Sequence, residues 1–319
     1  MCLSVDASFP DTSPFSSGLT RLPLYGARFC RDHALMPKIA ELLAQGRTLS
    51  FEFSAPRDAE GERRLSRSLE RLSALRPAFM SVTYGAGGTS RGPTPEVVRN
   101  IIGLGVTGMP HLTCVSHTQE EIGALLDTYA AMGVENLLAL HGDLPEGTTE
   151  VPSGHFTRAI DLVALARQRP GWSIGVAAHP EGHPKAARVE AGLDHHAQKL
   201  AAADFAITQF FFRAEHYTRF VEAMAARGVH TPVIAGIMPP TNIEGIGRMA
   251  ALNGTEYPRE ILARLEAAGD DVDVRRLIAI DEATRLGEAL LAAGAPGLHI
   301  YTMNFSEPAR TVARNLGLA

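Results

Sequence analysis

The stretch NLLALHGDLPEG, Asn136–Gly147, turns from apolar to polar within one residue. Leu137 to Leu140 form a short run with the length and composition of a buried strand. His141-Gly142-Asp143 ends the run, and Pro145 and Gly147 follow as turn residues. A strand that delivers an imidazole and a carboxylate where it stops is the unit from which the rest of the chain can be read.

Seven other segments repeat the pattern: LSFEFSAP (49–56), FMSVTYG (79–85), MPHLTCV (109–115), SIGVAAHP (173–180), FAITQFFF (205–212), TPVIAGIMP (231–239) and GLHIYTMN (297–304). Helical stretches such as RRLSRSLERLSAL, TQEEIGALLDTYAAMG and AEHYTRFVEAMAARG lie between them. Alternation of strand and helix implies parallel strands joined by crossover helices. Eight such units in 319 residues match the count and size of an α/β fold of the (β/α)8 TIM-barrel type. The rival is an open doubly wound sheet, but no G-x-G-x-x-G follows the first strand, and GAGGTSRG has a different spacing. The interval from Pro239 to Gly297 is long and contains several helical segments. The expected organisation is an N-terminal extension with one helix over residues 1–46 and a single barrel domain over 47–319.

Composition narrows the function. The chain is 45% hydrophobic and 20% charged, with a formal net charge of −5. That balance attracts neither nucleic acid nor an anionic membrane. Cys2, Cys30 and Cys114 are scattered and odd in number, which fits a reducing, cytoplasmic setting and neither a disulfide framework nor a zinc site. The first residues lack a basic region followed by an apolar one, and no apolar run reaches membrane-spanning length.

Barrel enzymes place their chemistry at the C-terminal strand ends. The first strand offers Glu52 between Phe51 and Phe53, either a structural carboxylate or a desolvated acid with a raised pKa. The second offers Thr83 and Tyr84 before a glycine-rich loop, and the third His111, which also reads as a core histidine. The fourth gives His141 and Asp143; the fifth gives His179, Glu181 and His183. Pro180 and Pro184 prevent a helix there, so the one-face spacing of a helical metal motif is absent and no metal site is expected. The sixth gives Gln209, a buried amide in need of partners; the eighth gives Tyr301 and Asn304. Acids, amides, hydroxyls and aromatics, with no Ser-His-Asp order and no strand-end lysine, suit a flat polar heterocycle and acid-assisted redox chemistry.

Taken in order, SFEFSAP, SVTYGAGGTSR, PHLTCV, NLLALHGD, HPEGHPKA, AITQFFF, IAGIMP and GLHIYTMN resemble the strand motifs of the methylenetetrahydrofolate reductase family, from about residue 47 to the C-terminus. The resemblance implies a (β/α)8 barrel that interconverts 5,10-methylenetetrahydrofolate and 5-methyltetrahydrofolate, with electrons from NADH or NADPH passing through FAD. It implies Glu52 as general acid opening the methylene bridge and Asp143 as the anion beside the cationic intermediate. Gln209 and Tyr301 join these two as folate contacts. Thr83, His111, His141, Asp143, Ala177, His179, His183, Lys199 and Met249 fall at cofactor-contact positions.

Several positions depart from the family pattern. His141 replaces an arginine that meets the FAD phosphates, and histidine lacks that bidentate fork. His179 replaces a tyrosine, Gly192 a carboxylate, Phe305 an arginine, and Met249 a phenylalanine. The losses fall mainly on flavin contacts, while Glu52, Asp143 and Gln209 stand. Two cofactor readings follow, one with FAD and one flavin-free, with hydride passing directly from the nicotinamide. A non-catalytic folate- or flavin-binding barrel and a phosphate-substrate lyase are the other readings. The expected partners are a tetrahydrofolate derivative and further copies of the same chain.

Overall fold

Eight strands alternate with helices along the chain: β1 (Thr48–Phe53), β2 (Phe79–Val82), β3 (Gly108–Thr113), β4 (Asn136–Leu140), β5 (Ser173–Ala178), β6 (Phe205–Thr208), β7 (Val233–Ile237) and β8 (Gly297–Tyr301). Each pairs in parallel with the next, and β8 pairs with β1, so the sheet closes into a barrel. The computed structural model describes residues 36–84, 94–115, 117–144, 156–182 and 188–319, all within the compact unit Leu35–Ala319. The (β/α)8 barrel read from the strand-helix alternation is the fold observed.

The helices are α1 (Ile39–Gln45), α2 (Ala59–Ser73), α3 (Thr94–Gly103), α4 (Gln119–Ala131), α5 (Ala159–Arg167), α6 (Val189–Ala201), α7 (Ala214–Ala225), α8 (Ile243–Asn253), α9 (Arg259–Ala267), α10 (Val272–Ala292) and α11 (Ser306–Asn315). Local sequence explains their starts. Asp58 caps α2 by accepting from the Gly61 N–H at 2.7 Å, and Thr118 and Glu121 form a reciprocal capping box on α4. Leu65, Leu69 and Leu72 form the buried face of α2. The long β7–β8 interval holds α8, α9 and α10. Among the described residues, no helix is long and apolar enough to cross a membrane.

Alternation along the strands sorts the residues into two cores. Phe51, Phe53, Met80, Val82 and Leu112 belong to the large cluster shared with the helices. Phe79, Met109, Leu138, Phe205, Ile207 and Ile234 form a second cluster inside the barrel. Gly175 makes room there, because a methyl group on it would run into the Phe205 ring.

Ile39 of α1 is fully buried in that second cluster and closes the barrel at the N-terminal strand ends. Its N–H has no partner within the first turn of the helix. The fully buried Asn136 at the start of β4 supplies one: Oδ1 accepts from Ile39 N at 2.7 Å, while Nδ2 donates to Pro37 O at 3.1 Å. Asn136→Ala strands both groups, so the expected loss of unfolding free energy is about 1–3 kcal/mol. A lowered urea midpoint with an unchanged slope is the readout; an unchanged midpoint counts against this anchoring.

Candidate active site

The strands are shorter than their sequence segments, and the residues cut off are those that line the C-terminal mouth. β4 stops at Leu140, so His141 and Asp143 are loop residues. Gly142 takes φ +85, and a side chain there would collide with Thr113. β6 stops at Thr208, which leaves Gln209 half-buried instead of the buried amide that the sequence suggests.

Inside the barrel, above the apolar cluster, the inward side chains become polar. Ser50 and Glu52 share one face of β1, opposite Phe51 and Phe53. The register sets Glu52 beside Ser81 of β2 and Tyr301 of β8. His299, fully buried two residues before Tyr301, joins the three strands. Its Nδ1 lies 2.8 Å from Ser50 Oγ and its Nε2 3.3 Å from Ser81 Oγ, and its ring stacks on Phe79 at 5.5 Å. One carboxylate oxygen of Glu52 lies 3.7 Å from His299 Nε2 and 3.5 Å from His111 Nε2. The sequence reading misses His299, Ser50 and Ser81. The available signal was a polar side chain at every second position of two apolar strands.

Burial sets the charge of this group. It pushes the Glu52 carboxyl above its ordinary value, opposed in part by His111. It pushes His111 down to about 4, with Glu52 opposing, and His299 down to about 3. Both imidazoles are therefore neutral near pH 7, and no neighbouring cation holds Glu52 ionised. His111 is not the satisfied core histidine that the sequence also allowed, because its Nε2 is buried without a hydrogen-bond partner. Glu52 keeps 17% of its side-chain surface exposed at the mouth. The Tyr301 hydroxyl donates to Thr208 O at 2.6 Å, and burial, then Glu52, raises its pKa. Gly236 of β7 leaves space for that ring, which a side chain there would strike.

The other expected residues are spread around the mouth. Thr83 is half-buried just past β2, its N–H donating to Phe53 O at 2.9 Å. Asp143 is exposed on the loop after β4. His141 is half-buried, with Nδ1 2.7 Å from Gly142 O. Ala177 and His179 sit half-buried at the end of β5, and His179 contacts the buried His196 of α6. The Gln209 Oε1 accepts from Phe210 N at 3.0 Å. Met249 of α8 packs in one apolar cluster with Phe210, Met238 and Tyr301. Lys199 is buried and close enough to His195 to add to the effect of burial in lowering the pKa of that imidazole. It lies in the last turn of α6, next to Leu200, whose carbonyl is bonded by Thr231 ahead of β7. Burial lowers its pKa to about 8. His183 lies outside the described residues. Glu181 turns to His216 of α7, 2.9 Å away, and its Oε1 accepts from Glu256 N.

The model of the methylenetetrahydrofolate reductase family matches residues 38–317. The 5,10-methylenetetrahydrofolate reductase of Escherichia coli (strain K12) is 35% identical over 287 residues, covering 89% of this chain and 95% of that one. Methylenetetrahydrofolate reductase (NADH) 1 of Zea mays is 35% identical over 300 residues, covering 89% of this chain and 51% of that one. Among solved structures, an uncharacterized Clostridium thermocellum protein that binds two copies of 5-methyl-5,6,7,8-tetrahydrofolic acid matches with a TM-score of 0.61. Its identity is 13%, over 87% of this chain and 98% of that one, so the likeness shows the fold alone. With a closed barrel, strand motifs in family order and a match over nearly all of the described chain, this protein belongs to the methylenetetrahydrofolate reductase family.

Proposed function

We propose that the chain reduces 5,10-methylenetetrahydrofolate to 5-methyltetrahydrofolate with NAD(P)H as hydride source and Glu52 as the general acid. The observation that carries this reading is a desolvated carboxyl flanked by two neutral imidazoles at the floor of the mouth. Such a carboxyl holds a proton to higher pH than an ordinary glutamate and can give it to a departing amine. Proton transfer from Glu52 to the bridging nitrogen lets its bond to the methylene carbon break. The electron pair of that bond stays on the departing nitrogen. The methylene carbon is then an iminium on the other nitrogen, and hydride from the nicotinamide converts it to a methyl group. A proton from water restores Glu52.

The surrounding groups suit the charge that develops. The exposed Asp143 carboxylate offers a negative charge to the cationic iminium. The Gln209 NH2 makes no hydrogen bond among the described residues, so it is available to an acceptor edge of the pterin. Tyr301 and Met249 supply an apolar wall.

FAD, which the family implies, finds a poor fit among the described residues. Its diphosphate needs cations or open N–H groups near the β3–β5 ends. There His141 Nδ1 is engaged by Gly142 O, His179 by His196, and Arg158 by Asp161 at 3.2 Å. Gly192 brings no side chain. The reading favoured here is direct hydride transfer, which requires folate and nicotinamide to be bound together at near-attack distance.

Three outcomes test this reading. Glu52→Gln keeps the shape and loses the proton, so kcat on methylenetetrahydrofolate falls by about 10²–10⁴-fold while nucleotide binding persists. Full turnover in that variant removes Glu52 from the role, and absence of turnover in the parent protein under any condition favours a pure binder. The sign of the pH dependence follows from the raised pKa. The acid is present below that pKa and is lost as pH rises through it, so kcat/KM falls on the alkaline side. A profile that instead rises with pH contradicts an acid role. Finally, the purified protein is expected to lack the flavin absorption near ~450 nm, a band supplied by the cofactor. Stoichiometric FAD in the preparation overturns direct transfer.

A further inference from the structure

The turn after β5, the start of α7 and the loop between α8 and α9 meet around a cavity of about 550 Å³. Each contributes one residue able to bind a metal: Glu181, His216 and Glu256. One ligand atom from each of these side chains lies within 4.8 Å of the other two. Among the described residues, no other group of histidine, cysteine and carboxylate side chains comes together in this way. Glu181 and His216 each keep only 12% of their side-chain surface exposed, while Glu256 is half exposed.

His216 Nδ1 is buried and makes no hydrogen bond, although Glu181 Oε1 lies 2.9 Å away. That oxygen accepts instead from the Glu256 N–H, also at 2.9 Å, which fixes the orientation of the carboxylate. A buried ring nitrogen left without a partner carries a penalty comparable to a lost hydrogen bond. Burial also pushes the Glu181 carboxyl above its ordinary value, opposed by the Glu256 N–H and by His216. Two groups that are each unfavourable as they stand thus face one another, and a cation between them relieves both. The spacing fits one ion. Two donors bound at about 2.1 Å and at right angles stand about 3.0 Å apart. Glu256 is further off, its Oε2 3.7 Å from His216 Nε2, and as a half-exposed loop residue it has the freedom to close in. Its partner Arg213, 3.1 Å away, holds a second carboxylate, Glu260, at 2.8 Å, so releasing Glu256 costs little.

We propose that Glu181, His216 and Glu256 bind one divalent transition-metal ion of the zinc class, with its remaining positions open to water in the cavity. One imidazole nitrogen and two carboxylate oxygens suit such an ion better than Mg²⁺ or Ca²⁺, which favour oxygen alone. Sequence spacing does not announce this site. The stretch His179-Pro180-Glu181-Gly182-His183 forms no helical metal motif, and only Glu181 of it takes part. The other two ligands arrive by packing. The ion braces the mouth from outside: Glu181 lies two residues past His179, and Glu256 follows α8, which carries Met249.

The test is calorimetric titration of the chelator-treated full chain with Zn²⁺ and, separately, with Mg²⁺. His216→Ala and Glu181→Gln are measured alongside, and X-ray absorption at the zinc edge reads the donor atoms. The parent protein is expected to bind one Zn²⁺ through nitrogen and oxygen, with no sulfur donor, and far more tightly than Mg²⁺. Each variant is expected to weaken Zn²⁺ binding at least about tenfold. Circular dichroism identifies a variant that fails to fold, and Glu256→Gln, altered at a half-exposed loop position, then takes its place with the same expected loss. Absence of Zn²⁺ binding by the parent protein overturns the proposal. Zn²⁺ held through sulfur, or held equally by the parent and the folded variants, places the ion elsewhere and also overturns it. Equal affinity for Mg²⁺ removes the imidazole from the ligand set and does the same.

Discussion

His299 is the contact on which the polar half of the barrel depends. It is fully buried, and its ring nitrogens face two serine hydroxyls, one on the adjacent β1 and one on β2, the next strand beyond. A buried imidazole without such partners incurs a penalty comparable to a lost hydrogen bond. With them it locks β8 against β1 and β2 at the level where Glu52 projects inward. Phe79 beneath its ring belongs to the apolar floor, so the same residue marks the boundary between a dry half and a polar half of the interior. Glu52 has a fixed position because the groups around it are themselves fixed.

The charge state of that layer follows from burial more than from pairing. An imidazolium 3.5 Å from a carboxylate would hold it ionised, and an ionised Glu52 has no proton to give. Desolvation of His111 and His299 works against this outcome by keeping both rings neutral. Two basic residues can thus stand beside an acid without consuming it. The electrostatic design lies in removing cations from the acid's surroundings.

Much of the fold was legible because its signal is repeated. Eight apolar segments broken by turn residues leave few alternatives, and each forms a strand in the barrel. Glu52 was legible because a carboxylate between two phenylalanines is conspicuous. His299 was not, because a single histidine between Leu298 and Ile300 gains meaning only when Ser50 and Ser81 stand across from it, and strand register is invisible in one sequence. The arginines within RRLSRSLERLSAL read simply as the polar face of a helix. That Arg64, Arg67 and Arg71 make no ion pair among the described residues, and that Asn304 fastens their helix to the strand carrying Glu52, are facts of packing alone.

The floor of the barrel bears on the chemistry at its mouth. Burial raises the Glu52 pKa, and the packed interior beneath it is part of that burial. Ile39 closes that lower end, packed in one cluster with Phe79, Met109 and Phe205. Asn136 holds Ile39 in place through its backbone, and Phe79 in turn carries the His299 ring. A short helix with a single fully buried residue is therefore linked, through two contacts, to the imidazole that stands 3.7 Å from the acid. Residues at the strand N-termini of a barrel are usually assigned to stability alone. Here stability and proton affinity share a cause, since the packing that closes the lower half also contributes to the burial that raises the pKa of the carboxyl above it.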